Sequence, residues 1–351
     1  MKIINSHIHS FTEKDVPRKF LPLGLVRFLA TKPGFSIIAA GLNFLNPLSK
    51  NDQFKKYLRF AEIGKLGSQE NIALECAKYY PKGTEFIILA IDMHYMDAGK
   101  VPNDYLEQLE ELRLLKLKYS DLVHPFVHVD PRRDGIISYI EANLEWIEGI
   151  KLYPPLGYFP YDERLMKLYD ICEKNNLPIV AHCGPETPTF NKSSKKKIRA
   201  MLKGYPYNKK DDKQKLCSYF AQPDNYRGIL EKHPNLNICL AHWGSECSWE
   251  SYLKDPLAKD NWFLTIKEMM KTYPNLYTDI SFTLNNQQYF SVLKLLLNDE
   301  VLLKKVMFGS DYYMVETKAE EKKFYIDLRA YLGEDVFRQI AEINPRTFLK
   351  K

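Results

Sequence analysis

Apolar residues along this chain follow two alternating patterns. Short, nearly continuous apolar runs recur in KIINSHIH, TEFIILAIDMHYM, LVHPFVHVDPRR, GIKLYPP, LPIVAHCG, LNICLAHWG, NLYTDIS and VMFGSD, and runs of this kind read as strands buried on both faces of a parallel sheet. Between them lie amphipathic stretches. DYLEQLEELRLLKLKY spaces its leucines by three and four, as an outer-layer helix requires. Further helices are expected near Ser68 to Tyr79, from Ile136 to Glu148, in DERLMKLYDICEKNN, and in NYRGILEKHP, IKEMMKTYP and SVLKLLLNDEVLLKK. The repeated strand and helix alternation predicts an α/β fold, a (β/α)8 TIM barrel spanning residues 1–351 as a single domain.

Two segments interrupt the alternation. Residues 11–67 form an insertion after the first strand and contain FLPLGLVRFLATKPGFSIIAAGLNFLNPL; Arg27, Lys32, Pro33 and Pro47 break its apolar runs too often for a membrane span. Apolar area on this scale needs a partner surface, so the expectation is a lid over the barrel mouth or a contact within a homodimer rather than a passive satellite. The second is a long basic loop, 184–222, after the fifth strand. Between Lys192 and Lys215 it holds ten Lys or Arg against Asp211 and Asp212, a surplus of eight, so with a total of +6 the remainder sums to −2. The basic character is therefore local. That argues against a nucleic-acid surface and fits either a solvated face or the steering of a small anionic substrate.

Composition adds little constraint. At 351 residues, 45% hydrophobic and 27% charged, the chain can bury a full barrel core. The six cysteines show no Cys-x-x-Cys spacing, several sit inside apolar runs, and MKIINSHIHS lacks an apolar signal core; the expectation is a reduced, cytoplasmic protein with no membrane association.

The candidate chemistry lies at the strand ends. Alternation along a strand puts His7 and His9 on one face. Three later runs end in a metal-ligand type, at His182, His242 and Asp311, and a fourth carries Lys151 with Tyr153 two positions on. Singly, each histidine is better explained as a satisfied core or surface residue; together they point to a metal site at the carboxyl face of the sheet.

These positions, with GIKLYPPLGYFP, LPIVAHCG, LAHWG, FGSDYY and NPRTFL, resemble the amidohydrolase superfamily of metal-dependent barrels, in its amidohydrolase-related branch. The resemblance runs from Lys2 to about Phe348. It implies His7, His9, His182 and Asp311 around one Zn²⁺, with His242 and Lys151 joining a second metal or facing the substrate. Mn²⁺ or another divalent ion is the alternative. In binuclear members the lysine is carboxylated. Asp311, His242 and Lys151 are then the catalytic candidates, with Asp311 as general base. Arg132, Tyr153, His94, Trp243 and Tyr312 are the expected substrate contacts, Arg132 and Arg133 offering a carboxylate clamp. The implied activity is metal-dependent hydrolysis of an amide, ester or lactone carbonyl by an activated water. The alternative is a non-oxidative decarboxylase, which an arginine inside the pocket would favour.

Overall fold

The computed structural model describes residues 1–20, 59–185 and 191–351. Eight parallel strands lie in the order of the chain: β1 (Ile4–Ile8), β2 (Glu85–Leu89), β3 (Val123–His128), β4 (Gly149–Leu152), β5 (Ile179–His182), β6 (Ile238–Ala241), β7 (Leu276–Asp279) and β8 (Val306–Met307). The last strand returns to the first beyond its own short ladder. There the Ser6 N–H donates to Phe308 O at 2.9 Å, and the Asp311 N–H donates to His7 O at 2.8 Å. This is a TIM barrel, as the alternation predicts.

Helices α1 (Gln69–Ala77), α2 (Tyr105–Lys118), α3 (Ile136–Glu141) and α4 (Met166–Lys174) follow the early strands. Each strand sends one set of side chains inward and the other to this helical layer. Ile87, Leu89, Phe126, Val180, Cys239, Tyr277 and Met307 form the inner core, and Phe348 packs on Phe126 and Tyr277. Their alternates, such as Ile150, Ile179, Ile238 and Leu240, join the larger core under the helices. Gly149 faces inward against Phe126, where any side chain would collide: a Cβ would lie 2.4 Å from its ring.

The basic segment is not the loop that its composition suggested. It folds into α5 (Lys195–Met201) and α6 (Lys213–Ser218), which share a small core of Ile198, Leu202, Leu216, Cys217 and Phe220 with Phe159. Ser194 and Asp212 cap these helices by accepting the N–H of Lys197 and Lys215, a signal that the charge run obscured. Residues 186–190 of that segment lie outside the described residues, as do 21–58, on which most of the lid or homodimer expectation falls. Among the described residues no helix is long and apolar enough to cross a membrane.

The later helices are α7 (Arg227–Lys232) before β6, α8 (Ser245–Lys254) and α9 (Trp262–Thr272) between β6 and β7, and α10 (Phe290–Leu296) and α11 (Glu300–Leu303) before β8; α12 (Glu321–Leu332) follows the barrel. The first residue of α12, Glu321, is fully buried. Tyr80 donates to its Oε1, Asn5 approaches at 3.5 Å, and its Oε2 has no partner among the described residues. Burial pushes the Glu321 carboxyl up to about 7, outweighing the donors of Tyr80 and Ser310, from an ordinary value of 4.5. The folded chain therefore keeps a proton that the unfolded chain releases. Stability should fall as pH rises from about 4.5 to about 7, by up to about 3 kcal/mol. In Glu321→Gln that slope should vanish, so the variant gains on the parent between pH 5 and pH 8 in urea unfolding. An unchanged slope would assign the dependence to other groups.

Candidate metal centre

The carboxyl ends of the strands open into a mouth of about 480 Å³, part of it open to solvent. His7, His9, Lys151, His182, His242 and Asp311 supply its polar lining; Phe11, Ile91, Met93, Tyr153, Phe282 and Met314 supply apolar walls. Six of the predicted ligand positions, from five different strand ends, are thus brought together with Tyr153.

Local backbone explains why these side chains converge. The pairing of β1 with β2 is irregular between Asn5 and Ile8, which turns His7 and His9 inward although Ile4 also faces the inner core. Lys151 and His182 face inward by simple alternation from Gly149 and Val180. His242 follows the inward Ala241, so alternation alone would send it outward. A left-handed backbone at His242 (φ 70) brings it back, and Asp311 is left-handed as well (φ 64).

His7, His9 and Asp311 place ligand atoms within 4.8 Å of one another. Asp311 Oδ1 lies 3.3 Å from His9 Nε2 and 3.8 Å from His7 Nε2. Both imidazoles are oriented from behind: His7 Nδ1 is 2.8 Å from Asp279 Oδ2, and His9 Nδ1 is 2.8 Å from the Leu89 carbonyl. Acceptors at Nδ1 leave the Nε2 lone pairs aimed at Asp311. His7 Nε2 and Asp311 Oδ1 are buried without a hydrogen-bond partner among the described residues. Unsatisfied buried polar atoms are costly, and a cation bound by two imidazoles and a carboxylate would satisfy them. The donor set therefore fits a divalent metal.

Electrostatics agree. Burial lowers His7 to about 4 despite the Asp279 carboxylate, and it lowers His182 and His242, so all three imidazoles are neutral at neutral pH. Burial raises the Asp311 carboxyl, but the close approach of His9 Nε2, and then of His7, outweighs it and holds the group below its ordinary value. Buried Lys151 is lowered to about 8, with Asp279 and Asp311 opposing the burial. His182 Nδ1 and His242 Nε2 are 3.2 Å apart, a separation that suits a hydrogen bond or two nitrogens turned to one cation. The Tyr153 ring lies against His182, with centroids 4.6 Å apart.

Four expected substrate contacts, and Arg133 of the expected clamp, lie elsewhere. Arg132 is held by Asp130, with Nε to Oδ1 at 2.8 Å, and stacks on Tyr95; Arg133 is held by Asp92. Both are ordinary loop ion pairs. Asp92 caps the short turn that carries His94, accepting its backbone N–H at 3.1 Å and lying 2.9 Å from its Nδ1, and His94 lines a separate small cavity. Trp243 is fully buried against Trp249 and Phe263, because the turn that brings His242 inward sends its neighbour into the helical layer. Tyr312 is buried behind Asp311 near Tyr79.

Asp279 and Ser281 were missed. Asp279 ends the apolar run NLYTDIS in the same way that Asp311 ends its own, so the pattern was present and went unused. The hydrogen bond to His7 could not be seen from spacing.

A parallel barrel with histidines and Asp311 converging at the carboxyl ends of its strands has the layout of a TIM-barrel enzyme, whose sites lie at that face. An amidohydrolase family model matches residues 78–351, and the chain belongs to that family. Among curated proteins no match is found. Several solved structures share the fold. A 5-carboxyvanillate decarboxylase from Novosphingobium aromaticivorans, with bound manganese and 3-methoxy-4-hydroxy-5-nitrobenzoic acid, is 13% identical over 100% of this chain and 97% of that one, with a TM-score of 0.57. A probable 2-pyrone-4,6-dicarboxylic acid hydrolase from Acinetobacter baumannii, with bound citric acid, is 10% identical over 100% of both chains, at 0.55. An amidohydrolase from Burkholderia multivorans with bound zinc is 11% identical over 100% and 99%, at 0.55. The fold is thus shared by hydrolases and decarboxylases.

Proposed function

We propose that the protein is a metal-dependent hydrolase that breaks the acyl C–N or C–O bond of an amide, ester or lactone in a small substrate, with an activated water attacking the carbonyl carbon. The observation that carries this reading is the pair of unpartnered buried atoms, His7 Nε2 and Asp311 Oδ1, facing a mouth with apolar walls. His7, His9 and Asp311 would hold the cation, with His182 and His242 alongside. When bound, a divalent ion such as Zn²⁺ or Mn²⁺ supplies Lewis acidity, acidifying water and polarising a carbonyl. Asp311 is placed to take a proton from water and return it to the leaving group. Lys151 and His242 share the mouth with these ligands and would face the substrate, and Phe11, Phe282 and Tyr153 would exclude water from its apolar part. The basic α5 and α6 unit favours an anionic substrate, since Lys197 reaches Asp97 in the segment after β2, on the same face of the barrel.

Decarboxylation has less support. The clamp it was expected to use, Arg132 or Arg133, is occupied by Asp130 and Asp92. Elemental mass spectrometry on protein purified without chelator or nickel should find about one divalent metal per chain. A panel of small carboxylated esters, amides and lactones should then be hydrolysed, with kcat/KM falling as salt rises. Absence of metal after incubation with Zn²⁺ and Mn²⁺ would overturn the reading; metal-dependent CO₂ release without hydrolysis would replace it with the lyase.

A further inference from the structure

We propose that Asp279 is a positioning residue serving two histidines at once. It fixes the tautomer of His7 that leaves Nε2 free for a cation, and it holds the turn that carries His242 into the mouth. This rests on His7, His9 and Asp311 being the cation site.

Asp279 ends β7 inside the barrel and is fully buried. Its two oxygens are divided between two tasks. Oδ2 faces His7 Nδ1 at 2.8 Å. Oδ1 accepts the His242 backbone N–H at 3.0 Å and the Ser281 N–H at 3.1 Å, and the Ser281 hydroxyl also donates to it. That hydroxyl lies 3.1 Å from His7 Nδ1 and 2.9 Å from His242 Nδ1, and the Ser281 carbonyl is 3.0 Å from His242 Nδ1. His242 carries the left-handed φ that turns it inward, and an N–H held by a buried carboxylate anchors that conformation.

Asp279, His7 and His242 also bring ligand atoms within 4.8 Å of one another, which makes them a second candidate set of metal ligands. Their hydrogen bonds argue otherwise. Both Asp279 oxygens are filled by donors, and His242 Nδ1 faces a carbonyl that only accepts. The unsatisfied atoms are on the other side of His7, at Nε2 and Asp311 Oδ1. A carboxylate behind a ligating imidazole fixes its proton on the far nitrogen and makes the near one a better donor to the metal; loss of such a partner commonly weakens binding 10- to 100-fold.

Two measurements on the full-length protein test this. Long-range ¹H–¹⁵N correlation spectra of the metal-free protein, with His7 assigned by a His7→Gln variant, should show His7 protonated on Nδ1; a proton on Nε2 would overturn the proposal. In Zn²⁺-loaded protein Nδ1 should keep its proton, and its loss would make Asp279 and His7 Nδ1 ligands instead. The second measurement is Zn²⁺ affinity by competition with a chelating indicator. An Asn at 279 can turn its amide N–H to His7 Nδ1 and move the proton to Nε2, so Asp279→Asn should bind Zn²⁺ about 10- to 100-fold more weakly while still melting cooperatively. Unchanged affinity in the folded variant would overturn the proposal. Should the variant fail to fold, the tautomer of the unaltered protein decides. Should that protein bind no Zn²⁺, the cation site itself fails, while the His7 tautomer still judges the role of Asp279.

Discussion

Asp311→Asn is expected to keep the barrel intact and to lose about 10²- to 10⁴-fold in kcat, the range associated with removing a positioned general base. Asn is the replacement that isolates the charge. Asp311 has a left-handed backbone (φ 64), which Asn tolerates better than most residues, and the main-chain bond from its N–H to His7 O is unaffected by the substitution. What changes is the carboxylate between His7 and His9. The variant should also hold less than the parent's metal per chain by elemental analysis, since a neutral amide replaces an anionic ligand. Full activity together with full metal content would remove Asp311 from the proposed mechanism.

Gly244→Ala should destabilise the protein by roughly 2–5 kcal/mol, combining left-handed strain with overpacking. Gly244 sits in a run of four residues with positive φ: His242 (70), Trp243 (38), Gly244 (79) and Ser245 (65). A Cβ there would lie 2.7 Å from the Phe263 backbone nitrogen, an atom of α9 that cannot swing aside as a side-chain tip can. Gly204→Ala supplies the control. Gly204 has a similar φ of 85 with nothing within 4 Å of a Cβ, so it should lose only about 1 kcal/mol. Urea unfolding of both separates the clash from the strain. Equal losses would show that α9 yields. Because the same run aims His242 at the mouth, Gly244→Ala should also reduce turnover in the fraction that remains folded.

Much of the barrel was legible because a parallel strand buried on both faces needs an unbroken apolar run, and such runs are visible without any partner. Strand ends at His182, Lys151 and Asp311 followed from the same runs. His242 was harder, since its inward direction depends on a left-handed turn that no local pattern announces. The arginines failed for a different reason. Arg132 and Arg133 were legible as cations beside Asp130, but whether they faced the mouth or a carboxylate depended on Asp92 and Tyr95, which are far away in the chain. In 184–222 the density of lysines hid two capped helices whose apolar positions, Ile198, Leu202, Leu216 and Phe220, are sparse.

The sequence alone determined the alternation of strands and helices, hence the barrel, and the residue types at its strand ends, because hydrophobic burial acts through local periodicity. Tertiary structure alone decided which of those side chains meet. Asp279 stands 272 residues from His7 and is 2.8 Å from it. Hydrogen-bond partnership of this kind, the inward turn of His242, and the capture of Arg133 by Asp92 all depend on ångström-scale placement across the barrel, and spacing along the chain carries no record of it.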